Sequence, residues 1–402
     1  ALPSPHQATI AATGGGKTYQ QSWAILQRFA HGNCAICVLD PKDQEYRDLL
    51  ERTLGGTYIV LSERSEERLN PLMLPCGDAA ALARMRQLDL DVRASRAAFV
   101  KQIVASEAQA RTMPLSGRAE TQLEEAIFAC YEARGITSDP ATFHADVPTL
   151  GHVVARLTAD DAEEALLAHM ELFTKGSLGR LINAPGTVDL AVPASKLRPD
   201  VGMLGVDLSA FVQGDDLTMK RVLPAIIANY FITVAMNGNG RPMELIIDEA
   251  WTLLATEAGS AMLEVIVRIG RSLKIATTVI TQQVREFLYR RVGDTLIPNE
   301  AGKTYLDNCE TVLLLRQLRP ARTGQTADDH PVAMAAKQFG LTPAEMNQLS
   351  RCRLDAAGAT GLLLVGRETI PLRIPRVPEP LHSEMLLRGR ARISAEGASD
   401  AG

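Results

Sequence analysis

The stretch Ala11-Ala12-Thr13-Gly14-Gly15-Gly16-Lys17-Thr18 directly follows a short apolar run near the start of the chain, and it decides how the rest is interpreted. Its consecutive glycines let backbone N–H groups turn toward one centre without Cβ clashes, which forms a concave site for phosphate oxygens. The lysine and threonine that close the run suit contacts with the β- and γ-phosphates and with Mg²⁺. The stretch therefore predicts a P-loop that binds a nucleoside triphosphate.

The nucleotide is expected at the end of this loop and at the first turn of the helix that follows. Trp23, Leu26 and Ala30 recur at helical spacing, so the helix would point the positive end of its dipole at the phosphates. The usual pattern begins with glycine where this chain has Ala11, a residue of the incoming strand that tolerates a methyl group. The predicted cofactor-binding residues are Thr13, Gly14, Gly15, Gly16, Lys17, Thr18 and Tyr19, with Thr18 also a metal ligand. The alternative is a glycine-rich turn before a helix.

Composition describes an ordinary globular chain. Its 402 residues suffice for a full core and two or three domains, and the fractions of hydrophobic (46%) and charged (22%) residues are typical of soluble proteins. A net charge of -5 gives no overall attraction to nucleic acid, so any DNA contact needs a local basic groove or the lumen of a ring. The longest apolar stretch, 221–236, contains Pro224 and Asn229 and predicts a core helix. Six scattered cysteines favour the reducing cytoplasm.

Apolar runs of strand length alternate with helical patterns along most of the chain. This alternation predicts an α/β fold, with a mostly parallel central sheet that helices cover on both faces. From 77 to 182 the segment is rich in Ala, Leu, Glu and Arg, which predicts an inserted all-helical subdomain with helices over 79–110, 119–133 and 150–170. The expected strands are 8–12, 35–39, 58–61, 201–208, 245–247, 275–281 and 311–315. The expected domains are the first part of the α/β core with the P-loop (1–76), the insertion (77–182), the second part of the core (183–376) and a flexible tail (377–402). Short helices are expected at 331–339 and 342–349, and a hairpin at 361–374.

A P-loop enzyme needs acidic residues at the end of a neighbouring strand, because Mg²⁺ must be held and a water molecule positioned. The apolar run Leu245-Ile246-Ile247 ends in two carboxylates, which is the Walker B pattern. Asp248 is the predicted metal ligand, and Glu249 is predicted to orient or deprotonate the attacking water.

Gln282 and two arginines complete the predicted site. Gln282 follows the apolar run 275–280, at the strand end where such sheets bind ligands, and is a candidate sensor of the γ-phosphate. Its alternative role is that of a helix cap or turn residue. Arg268 and Arg271 lie nearly opposite the apolar stripe of their helix and are candidate arginine fingers for a neighbouring subunit. The alternative for Arg268 is an ordinary helix ion pair with Glu264.

The motifs together resemble one family. The chain is similar to the type IV secretion and conjugative transfer ATPases of the TraC/TrbE type, equivalent to the fourth VirB component, within the HerA/FtsK superfamily of RecA-like motors. The matching stretches, in order, are 38–42 (VLDPK), 54–58 (LGGTY), 69–72 (LNPL), 247–251 (IDEAW), 271–274 (RSLK) and Asn308 with 312–317. Order and approximate spacing match over about residues 7 to 375.

The resemblance implies a RecA-like P-loop fold, use of ATP and Mg²⁺, and assembly into a hexameric ring. It also implies docking at the cytoplasmic face of the bacterial inner membrane, with other type IV secretion ATPases and inner-membrane channel components as partners. Family members carry a large domain ahead of the motor, so we expect this chain to be a motor domain. The first function we expect is to power pilus or channel assembly or the transfer of a substrate such as a secreted protein. One alternative is a DNA-pumping or coupling ATPase that moves the nucleic acid itself. Another is a nucleotide-dependent scaffold that hydrolyses little ATP.

Overall fold

The computed structural model describes residues 5–42, 44–62, 64–75, 83, 86, 91–144, 146–187, 192–212, 216–237, 241–250, 254, 257–292, 295–317 and 330–376. Its strands are β1 (Gln7–Ile10), β2 (Cys34–Asp40), β3 (Thr57–Val60), β4 (Val201–Asp207), β5 (Met243–Ile247), β6 (Ile275–Thr281), β7 (Tyr289–Val292), β8 (Thr295–Pro298), β9 (Thr311–Leu314), β10 (Leu354–Asp355), β11 (Gly358–Val365) and β12 (Glu368–Pro375). Its helices are α1 (Lys17–His31), α2 (Val92–Ala110), α3 (Gly117–Glu132), α4 (Leu150–Ala159), α5 (Glu164–Thr174), α6 (Gly176–Ile182), α7 (Ser209–Val212), α8 (Leu217–Asn237), α9 (Glu257–Leu273), α10 (Arg285–Leu288), α11 (Glu300–Asp307), α12 (Pro331–Phe339) and α13 (Pro343–Ser350). A π-helical segment, Asp48–Thr53, and a 3-10 turn, Pro140–Thr142, complete the set.

A 10-stranded sheet forms the centre of the molecule in the order β10-β11-β9-β1-β6-β5-β2-β4-β3, with β12 paired to β11. From β9 to β3 every neighbouring pair is parallel. On the other side of β9, the strands β10, β11 and β12 pair antiparallel. The predicted α/β fold with a mostly parallel sheet is thus confirmed, and each expected strand is present.

Both faces of the sheet are buried, which explains the continuous apolar runs of its strands. In β2, Ala35, Cys37 and Leu39 join the core formed with α8, α9 and the inserted helices. The alternate residues, Ile36 and Val38, join a second core formed with α1 and the π-helical segment. The two-residue period of a strand therefore divides one short run of sequence between two cores.

The inserted helices α2 to α6 follow β3 and pack into the first core. The buried carboxylate of Glu107 joins α2 to α8 through Arg221, at 2.6 Å, and also pairs with Arg111, at 3.0 Å. The predicted helix over 150–170 is two helices, because Asp161 adopts a left-handed conformation (φ 53°) that ends the first one. The predicted helix over 79–110 is described from Val92, and most of its earlier part lies outside the described residues.

The apolar stretch that the sequence predicts as a core helix lies in α8. Leu217–Val234 has the length and composition of a membrane span, but 81% of this window is buried inside the molecule. Near the end of the chain, β11 and β12 form the predicted hairpin and pack on β9. The predicted tail at 377–402 lies outside the described residues.

Candidate nucleotide-binding site

The parallel strands bring the P-loop, the acid pair and Gln282 together at their carboxyl ends. The P-loop follows β1, Gln282 follows β6, and the carboxylates of Asp248 and Glu249 follow β5. Because β6 lies between β1 and β5, these three groups are neighbours at the carboxyl ends of adjacent strands. This is the position at which parallel α/β sheets bind their ligands.

The glycines of the P-loop are required by its geometry. Gly14 and Gly16 have φ angles of 69° and 94°, a region that side chains with a Cβ rarely adopt. A Cβ at Gly15 would lie 2.7 Å from the carbonyl oxygen of Ala12. Helix α1 begins at Lys17, and the N–H groups of its first turn have no carbonyl partner within the helix. The loop and this turn together suit the oxygens of a phosphate.

Ala11 occupies a position where its methyl group is packed. It is fully buried, in a cluster that includes Leu315 and Ala359, and its carbonyl accepts a hydrogen bond from the Lys17 ammonium at 3.0 Å. Tyr19 belongs to the same cluster, and its hydroxyl donates to the carbonyl of Pro375 at 2.7 Å. The Tyr19 side chain therefore joins α1 to β12, while its backbone N–H belongs to the first turn of α1.

Asp248 is buried at the end of β5. Its carboxylate accepts hydrogen bonds from the Tyr46 hydroxyl at 3.2 Å and from the backbone N–H of Glu249 at 2.8 Å. Burial raises the pKa of Asp248 to about 6, although the Lys42 ammonium opposes this shift. A nearby cation stabilises the ionised form of a buried carboxylate of this kind.

Glu249 has a left-handed backbone (φ 43°), which is uncommon for a residue with a Cβ and is typical of functional turns. Its carboxylate pairs with the Lys42 ammonium, and it lies 3.8 Å from the Lys17 ammonium. The Gln282 side-chain N–H donates to both carboxylate oxygens, at 3.3 and 3.2 Å. Burial favours the neutral acid, but Lys42 and Lys17 outweigh it and lower the pKa of Glu249, so the carboxylate is ionised at neutral pH.

Gln282 is held in position from both sides. Its amide oxygen accepts a hydrogen bond from the Thr13 hydroxyl at 3.1 Å, and its backbone N–H donates to Glu286 at 3.0 Å. The same Glu286 oxygen also accepts from the Thr281 hydroxyl and from the backbone N–H of Gln283. Glu286 therefore fixes the turn that presents Gln282, a role that its sequence position alone did not predict.

The turn after β2 also belongs to the site, although the sequence alone predicted no chemical role for it. The buried Asp40 carboxylate anchors this turn by accepting from the backbone N–H groups of Lys42 (3.0 Å) and Tyr46 (2.9 Å) and from the Tyr58 hydroxyl (2.7 Å). Burial raises the pKa of Asp40 to about 7, against the effect of these hydrogen bonds.

Three side chains of this turn reach the predicted site residues. Lys42 pairs with Glu249, and the Tyr46 hydroxyl donates to Asp248. The carboxylate of the third, Glu45, accepts from the Thr18 hydroxyl at 2.7 Å. The sequence does contain a signal for this role, because charged residues, Lys42 and Glu45 among them, follow the buried strand β2. The sequence does not show, however, that β2 lies beside β5.

Arg268 and Arg271 lie on α9 and are exposed. Arg268 pairs with Glu264 at 2.6 Å, the ordinary helix ion pair that the sequence also allowed. Both arginines are near the end of α9, which leads into the amino end of β6. They therefore lie toward the edge of the sheet opposite the P-loop and are not brought together with Lys17 or Glu249.

The donor groups of the site fit a magnesium ion. The Thr18 hydroxyl and the Asp248 carboxylate supply the hard oxygen ligands that Mg²⁺ prefers, and the Glu45 carboxylate lies beside Thr18. Burial raises the pKa of Asp248, and the charge of a bound cation would favour the ionised form of this carboxylate.

The strand order, the P-loop after β1 and the acid pair after β5 define a RecA-like P-loop fold. Among solved structures, this fold is similar to VirB4 of Thermoanaerobacter pseudethanolicus, with a TM-score of 0.70 and 21% identity over 95% of this chain and 91% of that one. It is also similar to the plasmid coupling protein TrwB in complex with ADP and Mg²⁺, with a TM-score of 0.53 and 15% identity over 94% of this chain and 88% of that one. No protein-family profile and no curated protein matches the sequence.

Proposed function

We propose that this protein is an ATPase motor of a type IV secretion or conjugative transfer apparatus. The observation that carries the proposal is the meeting of Lys17, Glu249 and Gln282 at one end of the parallel sheet. A phosphate-binding lysine, a carboxylate that can activate water and an amide that holds this carboxylate are the groups that hydrolysis of a triphosphate requires. Similarity in fold to VirB4 and TrwB supports the assignment to this class of motor.

Each residue has a distinct task in the proposed reaction. Lys17 and the N–H groups of the first turn of α1 bind the phosphates, and Glu249 accepts the proton of the attacking water. Gln282 keeps the Glu249 carboxylate oriented. Thr18 and Asp248 would hold Mg²⁺, which neutralises phosphate charge when it is bound.

We propose that Arg268 or Arg271 acts in a site that is completed between subunits. Arg268 and Arg271 lie away from the Lys17 site of their own chain, so either one can meet a phosphate only in the site of a second copy. A ring of such copies, hexameric in our proposal, would place one nucleotide at each interface. We further propose that the ring docks with the other secretion ATPases and channel components at the cytoplasmic face of the inner membrane.

A DNA-pumping or coupling ATPase is the second candidate. It is favoured by similarity in fold to TrwB, which is a plasmid coupling protein, although VirB4 superimposes with the higher TM-score. The two candidates differ in their response to nucleic acid. A pump requires single-stranded or duplex DNA to stimulate ATP turnover, with binding that weakens steeply as salt rises.

Steady-state ATPase activity, measured against protein concentration with and without DNA, tests the proposal. We expect activity per molecule to rise with concentration, because the site is completed between subunits. Lys17→Ala should abolish nucleotide binding, and Glu249→Gln should retain binding but suppress hydrolysis. Lys175→Ala, a surface lysine paired with Glu171, is the matched control and should behave as wild type. Multiple turnover by the Glu249→Gln protein would contradict the role of Glu249 in activating water.

A further inference from the structure

Two lysines from different parts of the chain meet the same carboxylate oxygen. The ammonium groups of Lys17, from the P-loop, and Lys42, from the turn after β2, both pair with Oε1 of Glu249. Lys17 is the fixed member of the pair, since only 6% of its side chain is exposed and its ammonium donates to the Ala11 carbonyl. The Lys42 side chain is 41% exposed and lies on the open side of the site.

Lys42 combines a fixed backbone with a side chain that has room to move. Its backbone N–H donates to the buried Asp40 carboxylate, which anchors the whole turn. Burial disfavours the charge of Lys42, but the Asp248 and Glu249 carboxylates outweigh this effect and raise the pKa of the ammonium. The side chain is therefore a positive charge at neutral pH, aimed at the place where Lys17 and Glu249 meet.

The Lys42–Glu249 pair conflicts with the task of Glu249 in hydrolysis. Oε1 accepts from both Lys42 and Gln282, which fills its two acceptor sites, and the Lys42 charge lowers the pKa of the carboxylate that must take the proton of the attacking water. A stronger anion than Glu249, placed next to Lys17, would draw the Lys42 ammonium away. The γ-phosphate of ATP is such an anion, because its three oxygens accept charge-assisted hydrogen bonds from lysine.

We propose that Lys42 is a second γ-phosphate-binding residue, which distinguishes ATP from ADP and releases Glu249 only when ATP is present. This inference rests on the proposed ATPase function. With no triphosphate bound, the Lys42 ammonium pairs with Glu249. When ATP binds, the Lys42 ammonium moves to the γ-phosphate. The Glu249 carboxylate, still held by Gln282, then accepts a hydrogen bond from the attacking water. ADP lacks this phosphate, so Lys42 stays with Glu249.

The test is equilibrium binding of ATP and of ADP, measured with Mg²⁺ in a Glu249→Gln background. This background prevents hydrolysis and removes the carboxylate charge, so an effect of Lys42 cannot arise from leaving Glu249 unpaired. Lys42→Met should raise the Kd of ATP by about tenfold or more, the value of a charge-assisted hydrogen bond, and change the Kd of ADP by less than about twofold. Lys42→Gln should have the same effect, and Lys42→Arg should restore most of the ATP affinity.

Arg52→Met is the matched control, because Arg52 lies in the π-helical segment after the same turn and pairs with Asp48 on the surface. It should leave both Kd values unchanged. An ATP-to-ADP affinity ratio that is the same in Lys42→Met, Lys42→Gln and the parent protein overturns the role of Lys42. If the Glu249→Gln protein with Lys42 intact binds neither ATP nor ADP, the proposed ATPase function fails instead. Circular dichroism melts identify any variant that is not folded.

Discussion

Gln282 donates its side-chain N–H to both carboxylate oxygens of Glu249, at 3.3 and 3.2 Å. Its amide oxygen at the same time accepts from the Thr13 hydroxyl of the P-loop. One amide thus links the predicted phosphate-binding loop to the carboxylate that we propose activates water. A displacement of the P-loop on nucleotide binding would be transmitted to Glu249 through this contact.

Gln282→Met should therefore slow hydrolysis without weakening ATP binding. Methionine keeps the length of the side chain but makes neither hydrogen bond, so the Glu249 carboxylate loses its orientation. We expect kcat to fall by about a hundredfold, the cost of a misplaced catalytic group, while the Kd of ATP changes little. Gln283→Met, at the next position, is the control. An unchanged kcat in the Gln282 variant would show that the amide does not orient Glu249.

Gly15→Ala should weaken nucleotide binding by steric distortion of the P-loop. The added Cβ would lie 2.7 Å from the carbonyl oxygen of Ala12 and 3.1 Å from that of Arg316, and backbone atoms cannot move aside without deforming the loop. Overpacking of this kind costs about 1–3 kcal/mol, which corresponds to roughly five- to 150-fold in the Kd of ATP when the bound loop carries the whole cost. Gly117→Ala is the control, since no atom lies within 4 Å of its added Cβ. Equal affinities in both variants would contradict the prediction.

Mixing experiments locate the arginine that acts between subunits. Arg268→Ala or Arg271→Ala protein should be inactive alone and regain ATPase activity when mixed with Lys17→Ala protein, which binds no nucleotide but supplies an intact arginine. The steady-state rate of the mixture is the measurement. Lys17→Ala mixed with Glu249→Gln is the negative control, because neither chain then offers a complete nucleotide site. If no mixture recovers activity, neither arginine acts in trans.

Glu107 should make stability depend on pH. Burial disfavours its charge, but hydrogen bonds from Arg221, Thr218 and Arg111 outweigh this effect and lower its pKa in the folded protein below the ordinary value near 4.5. A depressed folded pKa contributes stability above the unfolded pKa and loses it as pH falls through the folded pKa. Glu107→Gln should therefore cost about 2 kcal/mol at pH 7 and progressively less below pH 4.5, measured by urea unfolding. A cost that does not change with pH would exclude the ion pairs as its source.

Most of the fold was predictable because it depends on short-range patterns. The apolar runs before Ala11 and Asp248 predict strands, and the glycines and charged residues that follow them predict a phosphate site and an acid pair. Asp161 and Glu286 show where such patterns fail. The left-handed turn at Asp161 divides one predicted helix into two, and the contacts that Glu286 makes to the turn at Gln282 have no periodic signature.

The sequence by itself determined the predicted class of site: Gly14 to Lys17 predict a phosphate-binding turn, because backbone freedom and the spacing of Lys17 are local properties. The tertiary structure alone decided which groups share that site. Strand order places β2 beside β5, and so brings Lys42 onto Glu249 and Tyr46 onto Asp248. Pairing between distant strands depends on the packing of the whole core, and no local pattern of residues encodes it.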